Sequence, residues 1–271
     1  MVNINRFGRQ LSSIVLFCGA ILVLLPLAVA LAKSLIPPSA ISGIFPPRLT
    51  FANYREAWER ANFWLAFANS TVVALAVTAL QTLTSSLGGY ALARLQFRGR
   101  QIVLVGILAT LVIPFQLLVI PIFLVLKWLG AIDTYAALIL PSAVSGFGIF
   151  LMRQYFLTIP VELEEAAALD GATRWQILWR ILLPLARPAL VTLFLFTFIG
   201  EWNDLFKPLI FTTRPELRTV QLALAQFQEQ FTSRWELLMA AVGIATFPVT
   251  VLFAIGQRQF IRGIASTGIK N

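Results

Sequence analysis

Six apolar segments, each about as long as a bilayer core is thick, leave this chain few folds to choose from. They run over residues 12–32, 67–92, 102–126, 135–152, 185–206 and 237–256. An α-helix needs about 20 apolar residues to cross the hydrocarbon layer, where an unpaired backbone group finds no partner. The expected fold class is therefore all-α: a polytopic membrane bundle of about six helices with short loops, one transmembrane domain over residues 1–271. Only 12% of the residues are charged, against about a quarter in a soluble domain. At 271 residues the chain holds such a bundle but no added catalytic domain. The fourth segment is the shortest and leaves little room for tilt.

Arg6 and Arg9 before the first apolar run, and Ala30-Leu31-Ala32 behind it, outline a signal peptide. The run over 14–32 is longer than the roughly 7–15 residues of a signal core, so it reads as an uncleaved first span. Cys18 is the only cysteine, which excludes a disulfide within one chain. There is no His, so the commonest general base and metal ligand are missing, and no metal site is expected. The net charge of +9 is carried mostly by Arg at the ends of apolar runs. That placement suits anionic lipid and topology, not nucleic acid. Counted loop by loop, twelve Lys and Arg fall on the side of both termini and nine on the other. The tight Arg94, Arg98 and Arg100 hairpin adds weight to the first side. Both termini and the loop over 161–184 are thus expected in the cytoplasm. The longer outer loops are 33–66 and 207–236, the first made stiff and extended by Pro37-Pro38 and Pro46-Pro47.

The loop over 160–184, PVELEEAAALDGATRWQILWRILLP, is polar and broken by glycine in a chain otherwise built for lipid. Pro160 suits a first helical position. Glu162, Glu164 and Glu165 would meet the positive end of the helix dipole, and three alanines follow. Gly171 can end that helix in a left-handed conformation. Thr173 and Gln176 have capping-box spacing, so a second helix can start at once. On it Trp175, Leu178, Trp179 and Leu182 form one apolar stripe. Two readings remain open at this point, a helix pair lying at the lipid headgroups or a device that docks a soluble partner.

The spacing Glu165-Ala166-Ala167, three residues, Gly171, nine residues, Ile181, one residue, Leu183-Pro184 resembles the EAA loop of ATP-binding-cassette (ABC) importer permeases. Other segments resemble the carbohydrate branch, the second permease of maltose-type and glycerol-3-phosphate-type importers. They are Asn53-Tyr54 with Trp58, Asn69-Ser70, Tyr90-Ala91-Leu92-Ala93-Arg94, Ile139-Leu140-Pro141, Leu151-Met152-Arg153-Gln154, and Trp202-Asn203-Asp204 with Pro208-Leu209-Ile210. The tail from Gln257 to Gly263, with Gly268-Ile269-Lys270, is similar too; it ends in Asn271 where related tails often carry Gly.

The resemblance implies that Glu165, Ala166, Ala167, Asp170, Gly171, Ile181, Leu183 and Pro184 form coupling helices seated on a cytoplasmic ATPase. It implies a second permease subunit, a dimer of ABC ATPases, an extracytoplasmic solute-binding protein, and residence in a prokaryotic inner membrane. This chain would bind no cofactor; ATP and Mg would sit on the partner ATPase. The residues agree, because a P-loop needs Gly-Lys before Ser or Thr. The four lysines, Lys33, Lys127, Lys207 and Lys270, follow Ala, Leu, Phe and Ile.

Thr78, Gln81, Thr82, Ser85 and Gly89 share one face of the second segment. They read either as lining for a polar solute or as small-residue packing. Gln116 lies between Pro114 and Pro121, which should kink or break the third segment beside a cavity. Ser142, Ser145, Gly146 and Gly148 make the fourth similarly pliable. Glu201, Asn203 and Asp204, near the outer end of the fifth, are candidates for contact with a binding protein or for an interfacial cap. The competing functions are an ABC permease for another solute, an ion-coupled secondary transporter, and a polytopic membrane enzyme. The last lacks most catalytic constellations, and no catalytic residue is assigned.

Overall fold

Long apolar runs become long helices here, and prolines decide where they break. The computed structural model describes residues 6–37, 49–231 and 234–268. Pro38, the Pro46-Pro47 pair and residues 269–271 lie outside them. The described residues form helices and no strand.

Two compact units divide the chain, Met1–Phe63 with Ala223–Phe247, and Trp64–Leu222 with Pro248–Asn271. In the first unit, α1 (Arg6–Ser34) is exposed at every residue from 12 to 29, as a helix facing lipid or another chain must be. A short helix, α2 (Ala52–Arg60), docks on its end. Asn53 is fully buried and donates through Nδ2 to the carbonyls of Ser34 at 2.9 Å and Ile36 at 2.7 Å. The first is a carbonyl that the helix end leaves unpaired, and the second belongs to the turn just beyond it. The hydroxyls of Ser34 and Tyr54 meet at 2.7 Å. Arg234 grips Glu56 with two hydrogen bonds, of 2.6 and 2.9 Å, and Arg60 reaches the same carboxylate at 2.9 Å. Those bonds from Arg234, offset in part by desolvation, hold Glu56 below its ordinary carboxylate range.

The second unit is threaded by α3 (Phe63–Arg94), whose small and polar residues are its contact points. Asn69 Nδ2 donates to the carbonyls of Glu216 and Arg218 at 2.7 and 2.8 Å, and Ser70 Oγ accepts from Val220 N. A Cβ at Gly89 would stand 2.7 Å from the Met152 Cβ and 2.9 Å from Arg153 N, so α3 meets its neighbour backbone to backbone. That neighbour is the fourth segment. It forms α6 (Tyr135–Ile139), a 3-10 turn over Leu140–Ser142, and α7 (Gly146–Thr158), with a 43° bend. Helix therefore runs six residues beyond the expected end at 152. The third segment breaks at Pro114 into α4 (Arg100–Thr110) and α5 (Phe115–Trp128), which diverge by 100°. The proline has no N–H to give and disfavours helix in the residue before it.

The elbow comprises α8 (Glu162–Leu169), α9 (Arg174–Ile177), a π-helical turn over Leu178–Leu182, and α10 (Leu183–Leu185). The fifth span, α11 (Arg187–Trp202), leaves it at 77° and ends four residues short of the expected 206. Two short helices follow, α12 (Phe206–Phe211) and α13 (Val220–Gln230), before α14 (Trp235–Gly268), which outruns the expected 237–256 at both ends. Among the described residues three helices are continuous, long and apolar enough to cross a membrane, and there are up to six spans if each bent pair is one.

Candidate functional site

The elbow forms because its local signals agree. Three glutamates occupy the first turn of α8. Gly171, at φ +86°, ends the helix in the left-handed region. Its N–H bonds the Ala168 carbonyl at 3.0 Å while Ala172 N bonds Ala167 O at 2.9 Å, the paired closure of a Schellman motif. Thr173 Oγ1 then accepts from Gln176 N at 3.3 Å, and Gln176 Oε1 accepts from Thr173 N at 2.7 Å, a complete capping box. The corner is therefore rigid although it is exposed.

Two expectations fail here. Pro160 is not the first helical residue, since α8 begins at Glu162 with Val161 as its cap. The apolar stripe is divided. Leu178 and Leu182 are buried, but Trp175 and Trp179 are 62% and 51% exposed. The wide π turn shifts the phase of the helix, and Ile177 joins the buried face in their place. The second limb packs into a core with Tyr90, Met152, Phe156, Ile159, Ala186 and Leu193. Helix α8 has no buried residue at all.

Of the elbow residues singled out in the sequence, Glu165, Ala166, Asp170, Gly171 and Pro184 are exposed, Ala167 and Ile181 are half-buried against the core, and Leu183 is buried. Glu164 turns inward to pair with Arg94, both side chains 12% exposed. Arg94 also donates through Nη2 to the Ile159 carbonyl at 2.6 Å. Arg100 and Arg153 bind the Leu92 carbonyl at 2.8 and 3.2 Å, and Arg100 reaches Ala93 O at 3.1 Å.

The polar face of α3 splits in two. Thr78 and Thr82 line a cavity of about 860 Å³, with Ser86, Trp179, Arg187 and Phe194 among its other walls. Thr78 is 1% exposed, and its hydroxyl has no hydrogen-bond partner among the described residues. Gln81, Ser85 and Gly89 face helices instead. Gln81 Nε2 donates to Ser142 O at 2.7 Å, and its Oε1 accepts from Thr197 Oγ1 at 2.9 Å. Ser85 lies where a Cβ on Gly148 would overlap its hydroxyl. Gln116 is exposed in the first turn of α5.

Near the end of α11 the carboxylates of Glu201 and Asp204 turn onto Lys207. Its Nζ lies 2.6 Å from Glu201 Oε2, 3.3 Å from Asp204 Oδ2, and donates to Ser142 Oγ at 2.6 Å. Asn203 is exposed and accepts from Gln221 at 3.1 Å. The sequence reading passed over Lys207 and Arg94 as partners. The i,i+3 spacing of Asp204 and Lys207 carried a signal; the 70-residue separation of Arg94 and Glu164 carried none. Among the described residues no three His, Cys, Asp or Glu converge as a metal site would require.

Residues 85–266 match the model of the family described as binding-protein-dependent transport system inner membrane component. The arabinooligosaccharides transport system permease protein AraQ of Halalkalibacterium halodurans is 34% identical over 234 residues, 86% of this chain and 84% of that protein. The diacetylchitobiose uptake system permease protein DasC of Streptomyces coelicolor is 31% identical over 98% of this chain and 99% of its own length. A chain from the crystal structure of a bacterial ABC transporter that imports the acidic polysaccharide alginate superposes with a TM-score of 0.83 at 26% identity, covering 96% of this chain and 99% of that one.

Proposed function

The chain belongs to the family of binding-protein-dependent transport system inner membrane components, and on that premise we propose that it is a permease subunit of an ABC importer, providing half of the pathway for a sugar or sugar derivative. The observation that carries the coupling role is the elbow. Its first limb is exposed on a corner fixed by a Schellman motif and a capping box, and its second limb is embedded in the core. A helix pair lying at the headgroups would turn its apolar side chains into lipid, whereas α8 leaves Leu169 90% exposed beside the exposed Glu165 on a fixed corner, which suits a docking limb.

In this reading the elbow lies in the cytoplasm with both termini. Glu165 pairs with a basic residue of a partner ATPase, one of two, and the exposed Trp175 and Trp179 add anchoring area. ATP and Mg are held and turned over by those ATPases. Their closure moves the elbow, and the bundle passes from inward-open to outward-open. Nucleotide drives the change only by binding one state more tightly than the other. A second permease completes the pathway, and an extracytoplasmic binding protein delivers the solute. Thr78 and Thr82 serve as pathway lining, supported by the cavity and the unpartnered Thr78 hydroxyl. Gln81 and Ser85 serve to hold the spans together. Asn203 is the outer contact, with Glu201 and Asp204 fixed behind it by Lys207.

Glu165→Lys and Gly171→Asp test the assignment. Both should leave membrane insertion intact and abolish co-purification of the ATPase, the first by charge and the second by straining the corner. An ATPase retained at the unaltered level by both variants refutes it.

A further inference from the structure

The two limbs of the elbow are fastened to the bundle in different ways. The second limb is held by burial, with Ile177, Leu178, Leu182 and Leu183 in a shared core. The first limb, α8, buries no residue and touches that core only through half-buried Ala167. Yet α8 carries Glu165. Among the described residues its one charged tether is Glu164, next in the chain and turned about 100° around the helix. Glu164 pairs with Arg94 at the end of α3, and Arg94 also holds the Ile159 carbonyl just beyond α7 at 2.6 Å. The last turn of α3 is itself clamped, because Arg100 and Arg153 take up the Leu92 carbonyl and Gly89 touches the α7 backbone. A displacement of α8 therefore has, besides the capped corner that leads to the second limb, a direct route to α3: Glu164 to Arg94, then to the α3–α7 pair and to Thr82 and Thr78 on the cavity wall.

We propose that Arg94 and Glu164 are positioning residues that convert movement of the docked α8 into movement of α3, and so of the cavity wall. The proposal rests on the coupling reading above, and the test separates the two. Thr82→Cys in a Cys18→Ser background places a thiol on the cavity wall of the transporter, purified whole through a tag on this chain. The readout is the rate of maleimide labelling, with and without MgATP and orthovanadate. Arg94→Glu and Glu164→Arg should each keep the ATPase within twofold of the unaltered amount. Each should lose at least tenfold of the nucleotide-dependent change in labelling. The double swap should recover half or more, and Arg94→Lys, which cannot hold Glu164 and Ile159 together, should keep a part. A single variant with the full response overturns the proposal, as does a double swap no better than its parents. Loss of the ATPase from the single variants overturns it in favour of a docking role. If no ATPase accompanies the unaltered chain, the coupling reading falls first, and the proposal with it.

Discussion

Lys207→Met removes the cation from a cluster in which two carboxylates converge on one buried ammonium. The Lys207 side chain is 6% exposed, and those of Glu201 and Asp204 are 11% and 19% exposed. At an effective dielectric of about 20, the contacts of 2.6 and 3.3 Å correspond to roughly 6 and 5 kcal/mol of attraction. Most of that repays the desolvation of three ions. The measurable loss should resemble that of other buried pairs stripped of one partner, about 3–5 kcal/mol. In a chain of this size each kcal/mol moves a thermal midpoint by roughly 2–4 °C, so the midpoint should fall by about 6–20 °C. Intrinsic fluorescence in detergent follows the transition through the chain's seven tryptophans, of which Trp202, buried next to Glu201, lies nearest the cluster in sequence. The damage lies in the carboxylates left without a counter-ion. Adding Glu201→Gln and Asp204→Asn to Lys207→Met should therefore restore at least half of the loss, though it removes more hydrogen-bonding charge. A Lys207→Met midpoint within about 2 °C of the unaltered chain refutes the reasoning, as does a triple variant no more stable than the single one.

Gly89→Ala should cost about 1–3 kcal/mol by forcing α3 from the Met152–Arg153 backbone. Gly106→Ala meets nothing within 4 Å and should be neutral or stabilising by up to about 1 kcal/mol; equal losses in the two would refute the close contact. Asn53→Ala strips two hydrogen bonds from the end of α1 and should cost about 2 kcal/mol, read as a lower thermal midpoint. Because Arg234 depresses Glu56, that pair contributes fully above the ordinary carboxylate value of about 4.3 and is lost as pH falls through the depressed one. The midpoint gap between the unaltered chain and Glu56→Gln should be full above the ordinary carboxylate range and close as pH falls below it. A gap that stays constant with pH counts against the pair.

What the sequence made legible was local. Pro114 marked the break between α4 and α5, Gly171 the left-handed corner, and Thr173 with Gln176 the restart of helix, each through chemistry confined to a few neighbours. The apolar stripe misled because periodicity assumes a constant number of residues per turn. The π turn over Leu178–Leu182 breaks that constancy and leaves Trp179 outside, while Trp175, ahead of it in α9, is exposed as well. Pro160 misled because a residue suited to a helix start can equally stand just ahead of one. The polar face of α3 looked uniform from its spacing. Only the bend at Ser142 and the close approach of Gly148 assign Gln81 and Ser85 to packing, and Thr78 and Thr82 to the cavity. Arg94 took its meaning from Glu164, 70 positions away, and Lys207 its contact with Ser142 from 65 away, which no periodicity records, whereas the i,i+3 spacing of Asp204 and Lys207 was there to be read.

The bareness of α8 has a consequence for the life of the protein before it is part of anything. Leu169 is 90% exposed, and Leu163 and Val161 are nearly half exposed, on a corner too well capped to fold away. If the elbow docks on a partner ATPase as proposed, a newly made copy that meets no mate would carry this adhesive tip into water. Surplus copies should then clump or be degraded, and the amount of this chain a cell retains should follow its companions' supply and not its own rate of synthesis.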